Sequence, residues 1–116
     1  MTRTEPSIVL VGLMGTGKTT VARLLAEHRR VELLDTDKLI EARDGRSIRE
    51  IFSESGETAF REIESEVLRE CLHRPGSPVI AGAGGVVVRE QNRAMLDAAR
   101  DAGSTVVVWL HARPEV

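Results

Sequence analysis

The apolar residues of the chain are concentrated in four short runs, SIVLV (7–11), VELLD (31–35), PVIAGA (78–83) and STVVVWL (104–110). Each run is aliphatic and nearly continuous, without the alternation of a strand that has one face in water. Continuous apolarity is typical of strands buried on both faces of a parallel sheet. The pattern therefore predicts four such strands.

The segments between the runs have helical spacing. Three of them carry apolar stripes: Val21, Leu24, Leu25 and His28 after the first run; Phe60, Ile63, Val67 and Cys71 within 56–74; and Met95, Leu96 and Ala99 within 90–101. Ser47 and Glu50 form a capping box at the start of SIREIF (47–52), and Gly103 stands where a helix C-terminal glycine is expected. Strands that alternate with helices predict a three-layer α/β fold with right-handed crossovers, in which ligands bind at the carboxyl ends of the strands.

Composition narrows the classes of function. A chain of 116 residues with 41% hydrophobic content fits one domain spanning 1–116. Its formal net charge of −2 gives no bulk electrostatic reason to expect nucleic acid or an anionic membrane as partner. No run is long enough to cross a bilayer and the N-terminus lacks a signal-peptide core, so we expect a cytoplasmic location. The single cysteine, Cys71, lies on an apolar stripe and is expected to be a buried structural thiol.

A phosphate-binding loop follows the first strand. Gly12, Gly17, Lys18 and Thr19 satisfy the P-loop pattern G-x-x-x-x-G-K-[ST], between an apolar strand and an amphipathic helix. Backbone N–H groups of such a loop wrap a polyphosphate, the lysine reaches the β- and γ-oxygens, and the threonine hydroxyl is placed to bind Mg²⁺. A chance glycine-rich turn explains the glycines but not the Lys-Thr pair. We therefore expect a nucleotide polyphosphate and Mg²⁺ to bind at this loop, in a P-loop NTPase-type sheet.

Two carboxylates follow the second run. In LLDTD, Asp35 and Asp37 are two residues apart, and in an extended chain this spacing points both side chains the same way. One could hold Mg²⁺ while the other accepts a hydrogen bond from an attacking hydroxyl. The alternative is a solvated turn in which Asp37 caps the helix DKLIEARD.

Two further clues concern the molecule that would accept the phosphate. Arg61 follows Phe60, one position off the apolar stripe, where a guanidinium could bind a substrate carboxylate. The alternative is a surface or intrahelical residue with Glu57, Glu64 or Ser65 as its neighbour. The segment AGAGG (81–85) could let the backbone approach a ligand closely, although a tight turn would use the same residues. Each clue is weak alone.

In chain order, GLMGTGKTT, LLDTD, GRSIREIFSESGETAFREIE, VIAGAGGVV and the NR at 92–93 resemble the shikimate kinase family. The resemblance extends over essentially the whole chain. It implies transfer of the ATP γ-phosphoryl group to the 3-hydroxyl of shikimate, in the biosynthesis of chorismate and the aromatic amino acids, by a monomer.

The resemblance also implies roles for individual positions. Lys18 and Asp37 are the candidate catalytic residues, and Thr19 and Asp35 the candidate Mg²⁺ ligands. The remaining candidates are the ATP contacts Gly12, Gly15, Thr16, Gly17, Lys18, Thr19 and Thr20, and the shikimate contacts Asp37, Arg61, Gly84 and Gly85.

Three departures from the family pattern matter. Ala83-Gly84-Gly85 stands where the family has three glycines, and Arg29-Arg30 where it has an apolar residue and glycine. The sequence given also stops at Val116, without the family's lid, second carboxylate-binding arginine, final strand and adenine loop. We therefore expect impaired turnover from these 116 residues and an apolar edge strand, 104–110, that could promote self-association.

The sequence leaves two classes of function open. The first is a small-molecule kinase, with shikimate or, as an alternative, gluconate as acceptor. The second is a catalytically weak nucleotide-binding remnant. No chemistry is assigned to the three histidines, and Trp109 is expected to pack in the core.

Overall fold

The sheet contains four parallel strands in the order β2-β3-β1-β4. A computed structural model describes residues 5–12, 18–82 and 84–110 of the chain. The strands are β1 (Ser7–Gly12), β2 (Leu33–Asp35), β3 (Val79–Ala81) and β4 (Thr105–Leu110). All four predicted strands are present, but β2 and β3 are shorter than the runs 31–35 and 78–83.

Four helices connect or follow the strands. They are α1 (Lys18–Arg29), α2 (Thr36–Asp44), α3 (Ile48–Leu72) and α4 (Glu90–Asp101), and a single 3₁₀ turn, Gly84–Val87, lies between β3 and α4. We call this last segment the glycine turn. The capping box of Ser47 and Glu50 is present at the start of α3, and Gly103 follows the end of α4 with φ of 78°. The predicted α/β class, with helices on both faces of a parallel sheet, is confirmed.

Helix α3 joins two predicted segments. SIREIF and 56–74 run together through Gly56, whose φ of 87° and ψ of 170° are not helical. The chain therefore bends at Gly56, and the segment after the bend carries Phe60, Val67 and Cys71 into the core as the spacing predicted.

The two faces of the sheet bury different sets of side chains. On one face, Val9, Val11 and Ile80 pack with residues of α2, α3 and α4. On the other, Leu10 and Val79 pack against α1 through Ala22 and Ala26. The resulting layers are helix, sheet and helix.

The predicted face of α1 is confirmed for Val21 and Leu25, which pack against the core, and wrong for Leu24 and His28. Leu24 is 56% exposed and His28 is exposed, whereas Ala22 and Ala26 are buried, with Val21 and Leu25 partly covered. Hydrophobicity alone favoured the leucine. A helix that packs closely on a sheet uses small side chains at the line of contact, so the alanines occupy it.

Candidate functional site

The candidate site lies where β1, β2 and β3 end. Parallel pairing aligns these ends, since Asp35 is in register with Ala81, and Ala81 with Leu10. The Lys18 ammonium donates a hydrogen bond of 2.6 Å to the carbonyl oxygen of Gly82 and is 3.4 Å from that of Gly12. The lysine at the start of α1 therefore bridges the ends of two adjacent strands.

The phosphate-loop residues Gly15, Thr16 and Gly17 lie outside the described residues, so their predicted contacts stay predictions. Thr19 and Thr20 are exposed in the first turn of α1, where the helix dipole favours an anion. Gly12 is required for another reason. A Cβ added there would lie 2.6 Å from the carbonyl oxygen of Leu110 on β4, so no other residue fits without movement of backbone.

Asp35 and Asp37 do not occupy one extended segment. Asp35 is the last residue of β2 and the N-cap of α2, and its Oδ1 accepts a hydrogen bond of 3.3 Å from the Lys38 N–H. Asp37 lies in the first turn of α2. The extended spacing inferred from LLDTD is wrong, and so is the alternative in which Asp37 is the cap. The cap is Asp35, two residues earlier, and helix α2 begins at Thr36.

Helix geometry nevertheless leaves Asp37 close to the other charges. Burial raises the pKa of its carboxyl, the negative charge of Asp35 raises that pKa further, and the ammonium of Lys18 opposes both effects. Glu41, one turn along α2, also raises it. Asp37 is thus a partly buried carboxyl that is a better proton acceptor than an ordinary aspartate.

Arg61 and Glu64 form a buried pair on α3. An Arg61 Nη1 hydrogen bond of 3.0 Å goes to Glu64 Oε1, and Nη2 lies 3.4 Å from Glu57 Oε2, as the spacing predicted. The guanidinium also lies over the Phe60 ring, 5.2 Å from its centroid. Glu64 is fully buried and Arg61 mostly so. Burial raises the pKa of Glu64; the Arg61 charge opposes this shift and the Asp37 charge adds to it.

Two polar atoms of this pair have no hydrogen-bond partner among the described residues. They are Arg61 Nε and Glu64 Oε2, and both are buried. An unpaired buried polar atom costs about 1 to 3 kcal/mol, so such atoms are rare unless a ligand or water completes them. The pair therefore offers one donor and one acceptor to a polar ligand.

The glycine turn borders this pair. Arg61 Nη1 is 3.4 Å from the carbonyl oxygen of Gly85, and a Cβ on residue 85 would overlap the guanidinium. Gly84 begins the turn. Ala83, where the family pattern has glycine, lies outside the described residues, so the effect of its methyl group stays a prediction.

Sequence reasoning underestimated Glu64. It was considered only as an ion-pair partner, yet it lies between Phe60 and Val67 on the buried side of α3. Glu64 is four residues after one core position and three before the next. A charged residue in such a place is unusual and could have been recognised from the sequence as a candidate functional residue.

Other predictions can be checked against the described residues. Cys71 is buried, and burial raises the pKa of its thiol to about 11, as expected of a structural cysteine. Trp109 is 53% exposed, so its predicted core position is wrong: it belongs to β4, which is an edge strand of the described sheet. In the described ranges no three His, Cys, Asp or Glu side chains cluster as a metal site.

No helix within the described part of the chain is long and apolar enough to cross a membrane.

Comparison with known proteins agrees with the resemblance. A family model described as shikimate kinase matches residues 14–116. The shikimate kinase of Symbiobacterium thermophilum is 48% identical over 109 residues, which are 94% of this chain and 59% of that protein. A solved shikimate kinase of Acinetobacter baumannii, in complex with shikimate, is 42% identical with a TM-score of 0.85, covering 95% of this chain and 58% of the solved chain. The chain thus spans about three fifths of the length of these relatives.

A gluconokinase of Sinorhizobium meliloti is similar at only 19% identity and a TM-score of 0.53, over 96% of this chain and 60% of the solved chain. At that identity the likeness concerns the fold alone. The family model matches 103 positions, and the shikimate kinases are identical at 42% to 48% of the aligned residues. The chain therefore belongs to the shikimate kinase family.

Proposed function

We propose that this chain carries the nucleotide- and acceptor-binding core of an enzyme that transfers the γ-phosphoryl group of ATP to the 3-hydroxyl of shikimate. One observation supports this most. Asp37 is close enough to Lys18 on one side and to Glu64 on the other for their charges to alter pKa values, and Glu64 holds Arg61. Lys18, Asp37 and Arg61 would therefore follow one another across one site. They would bind a phosphate, a hydroxyl and a carboxylate, respectively.

The donor side would be formed by the phosphate loop and the start of α1. Gly12 and Gly15 to Thr20 would contact ATP, with Lys18 on the transferred phosphate. Mg²⁺ fits the oxygen donors present, the Thr19 hydroxyl and the Asp35 carboxylate. Oδ1 of Asp35 accepts the hydrogen bond that caps α2, while Oδ2 has no hydrogen bond to a described residue. Bound Mg²⁺ would supply charge neutralisation on the phosphate oxygens. Phosphates and waters complete its coordination, so a cluster of three protein ligands is not needed.

Asp37 would bind the attacking hydroxyl on the acceptor side. The shikimate 3-oxygen forms a bond to the γ-phosphorus, the bond from that phosphorus to the β,γ-bridging oxygen breaks, and ADP leaves with the electron pair. The proton of the hydroxyl passes to the Asp37 carboxylate, whose raised pKa suits it to accept one. Positioning and charge neutralisation contribute most of the rate in such reactions.

Arg61 would bind the carboxylate of shikimate, and Gly84 and Gly85 would contact the ring through their backbone. Glu64 fixes one side of the guanidinium, which leaves Arg61 Nε unpaired and the Glu64 Oε2 acceptor open to a ring hydroxyl. A hydroxy acid carries the two matching groups, a carboxylate for the Arg61 donor and hydroxyls for the Glu64 acceptor. In a protein that binds only a nucleotide, no phosphoryl acceptor would pair with Arg61 Nε and Glu64 Oε2. A cytoplasmic, monomeric protein is part of the same proposal.

The test separates binding from turnover, because the chain matches only part of its relatives' length. Calorimetry on the 116-residue chain should show binding of MgATP, lost in Lys18→Ala and kept in Arg23→Ala, which removes an exposed cation from the same helix. Shikimate should bind and gluconate should not. A coupled assay of ADP release then measures turnover.

Each outcome has a distinct meaning. MgATP binding without shikimate binding would favour the nucleotide-binding remnant. Stimulation of ADP release by gluconate and not by shikimate would overturn the acceptor.

A further inference from the structure

A chain of hydrogen bonds runs from α3 through α4 to the glycine turn. Arg89 Nη1 lies 3.4 Å from Ser65 Oγ, and Ser65 Oγ donates to Asn92 Oδ1 at 2.7 Å. Asn92 Nδ2 then donates to the carbonyl oxygen of Val86 at 2.9 Å. Ser65 and Asn92 are both buried, so these bonds are shielded from water.

The direction of this chain is determined by its donors. Because the Ser65 oxygen accepts from Arg89, the hydroxyl hydrogen is directed to Asn92. That hydrogen bond holds the amide oxygen toward α3 and the amide NH₂ toward Val86. Without it the amide could rotate and set its oxygen against the Val86 carbonyl, which is repulsive.

Side chains also bind two other carbonyl groups of the glycine turn, those of Gly85 and Val87, and the carbonyl group of Val88, which follows the turn. Arg61 Nη1 reaches the oxygen of Gly85, and Arg93 Nη1 donates to those of Val87 and Val88 at 2.8 and 3.0 Å. Within the turn, the Val88 N–H donates to the Gly85 oxygen at 3.0 Å. A 3₁₀ turn that begins with two glycines is weakly specified by itself, so external bonds select its conformation.

We propose that Ser65 and Asn92 are positioning residues for acceptor binding, which act by fixing the glycine turn beside Arg61. This inference rests on the proposed function, which places Gly84 and Gly85 against shikimate. It assigns a role to two residues that touch neither substrate. The pair also links α3 to α4, and the experiment must separate this purely structural effect from positioning.

A buried hydroxyl pair at the opposite end of the sheet provides the matched control. The hydroxyl groups of Ser7 and Thr105 are 2.9 Å apart in a buried hydrogen bond between the first residues of β1 and β4. Ser7→Ala therefore removes a comparable bond far from the glycine turn. Both alanine variants should lower the melting temperature by similar amounts.

The two variants should differ in acceptor binding. Ser65→Ala should raise the Kd for shikimate about tenfold, which corresponds to about 1.4 kcal/mol, and leave the Kd for MgATP within twofold. Ser7→Ala should change neither Kd. Ser65→Thr, which keeps the hydroxyl, should restore most of the shikimate affinity. Asn92→Asp, which places an oxygen against the Val86 carbonyl, should resemble Ser65→Ala.

Amide hydrogen exchange gives a second readout that does not depend on the substrate. Exchange at the Val88 N–H should be accelerated about tenfold in Ser65→Ala and unchanged in Ser7→Ala. If the wild-type chain binds no shikimate, the proposed acceptor fails while this measurement still decides whether Ser65 fixes the turn. Equal Val88 exchange and equal shikimate affinity in wild type and Ser65→Ala would overturn the inference, and so would parallel losses in both alanine variants.

Discussion

Gly85→Ala is the sharpest test of the acceptor site. A Cβ on residue 85 would overlap Arg61 Nη1, and φ of Gly85 lies outside the left-handed region, so alanine can adopt the backbone conformation. The atom in the way is the end of a flexible side chain. The added methyl group should therefore displace the guanidinium and leave the backbone of the turn in place.

Both shikimate binding and folding should be weakened. Charge-assisted hydrogen bonds contribute about 1.5 to 3 kcal/mol each, so displacement of Arg61 from a substrate carboxylate should weaken shikimate binding roughly 10- to 150-fold. The free energy of unfolding should also fall, by about 3 kcal/mol or more, because displacement of Arg61 leaves the buried carboxyl of Glu64 without its ion-pair partner.

Calorimetric titration with shikimate and with MgATP provides the assay. The matched control is Gly82→Ala, whose Cβ would meet its nearest atom, the carbonyl oxygen of Leu10, at an ordinary 3.4 Å. This control should leave both affinities unchanged. If Gly85→Ala binds shikimate as tightly as wild type, Arg61 does not bind the acceptor where we place it. Equal loss of MgATP affinity would instead indicate a general collapse of the site.

Three further predictions concern other parts of the molecule. Gly12→Ala should lower the free energy of unfolding by about 1 to 3 kcal/mol in urea titrations, because its Cβ would meet the Leu110 backbone oxygen at 2.6 Å; a change below 0.5 kcal/mol, roughly the scatter of surface substitutions, would contradict the close approach. Asp37→Asn should be more stable than wild type at pH 7. The folded pKa of Asp37 is raised, so the wild type is penalised as pH rises through that pKa, and the difference should shrink as pH falls towards 3.8; a pH-independent difference would refute this sign. Cys71 should resist a thiol reagent in the native protein and react in 6 M urea, about the concentration that unfolds small domains, because burial raises its pKa to about 11; rapid native labelling would contradict its burial.

The sequence was most informative where periodicity and burial coincide. Continuous apolar runs located all four strands, and the stripe through Phe60, Val67 and Cys71 identified the buried side of α3. It was misleading for α1, where Leu24 is exposed and two alanines make the contact. Hydrophobicity measures what a side chain gains from burial, but the distance between a helix and a sheet decides which size can be buried.

The sequence predicted which charged residues are neighbours better than it predicted their geometry, and their functional roles stay predictions. Asp37 is near Asp35, which caps its helix, and near Glu64, which pairs with Arg61; the extended spacing that suggested this arrangement is not present. The hydrogen bond between Ser65 and Asn92 was not anticipated, because it joins residues 27 positions apart in the chain. No local pattern carries information of that range.

The alanines on the inner side of α1 have a consequence for evolution and for design. Ala22 and Ala26 determine how far the helix axis stands from the sheet, and Lys18 begins that same helix. A larger residue at position 22, which is fully buried, would push the helix outward and withdraw the Lys18 ammonium from the Gly82 carbonyl. The depth of the proposed phosphate site is therefore adjusted about one and two helical turns away from Lys18, at positions where a scan for binding residues would find only two small methyl groups.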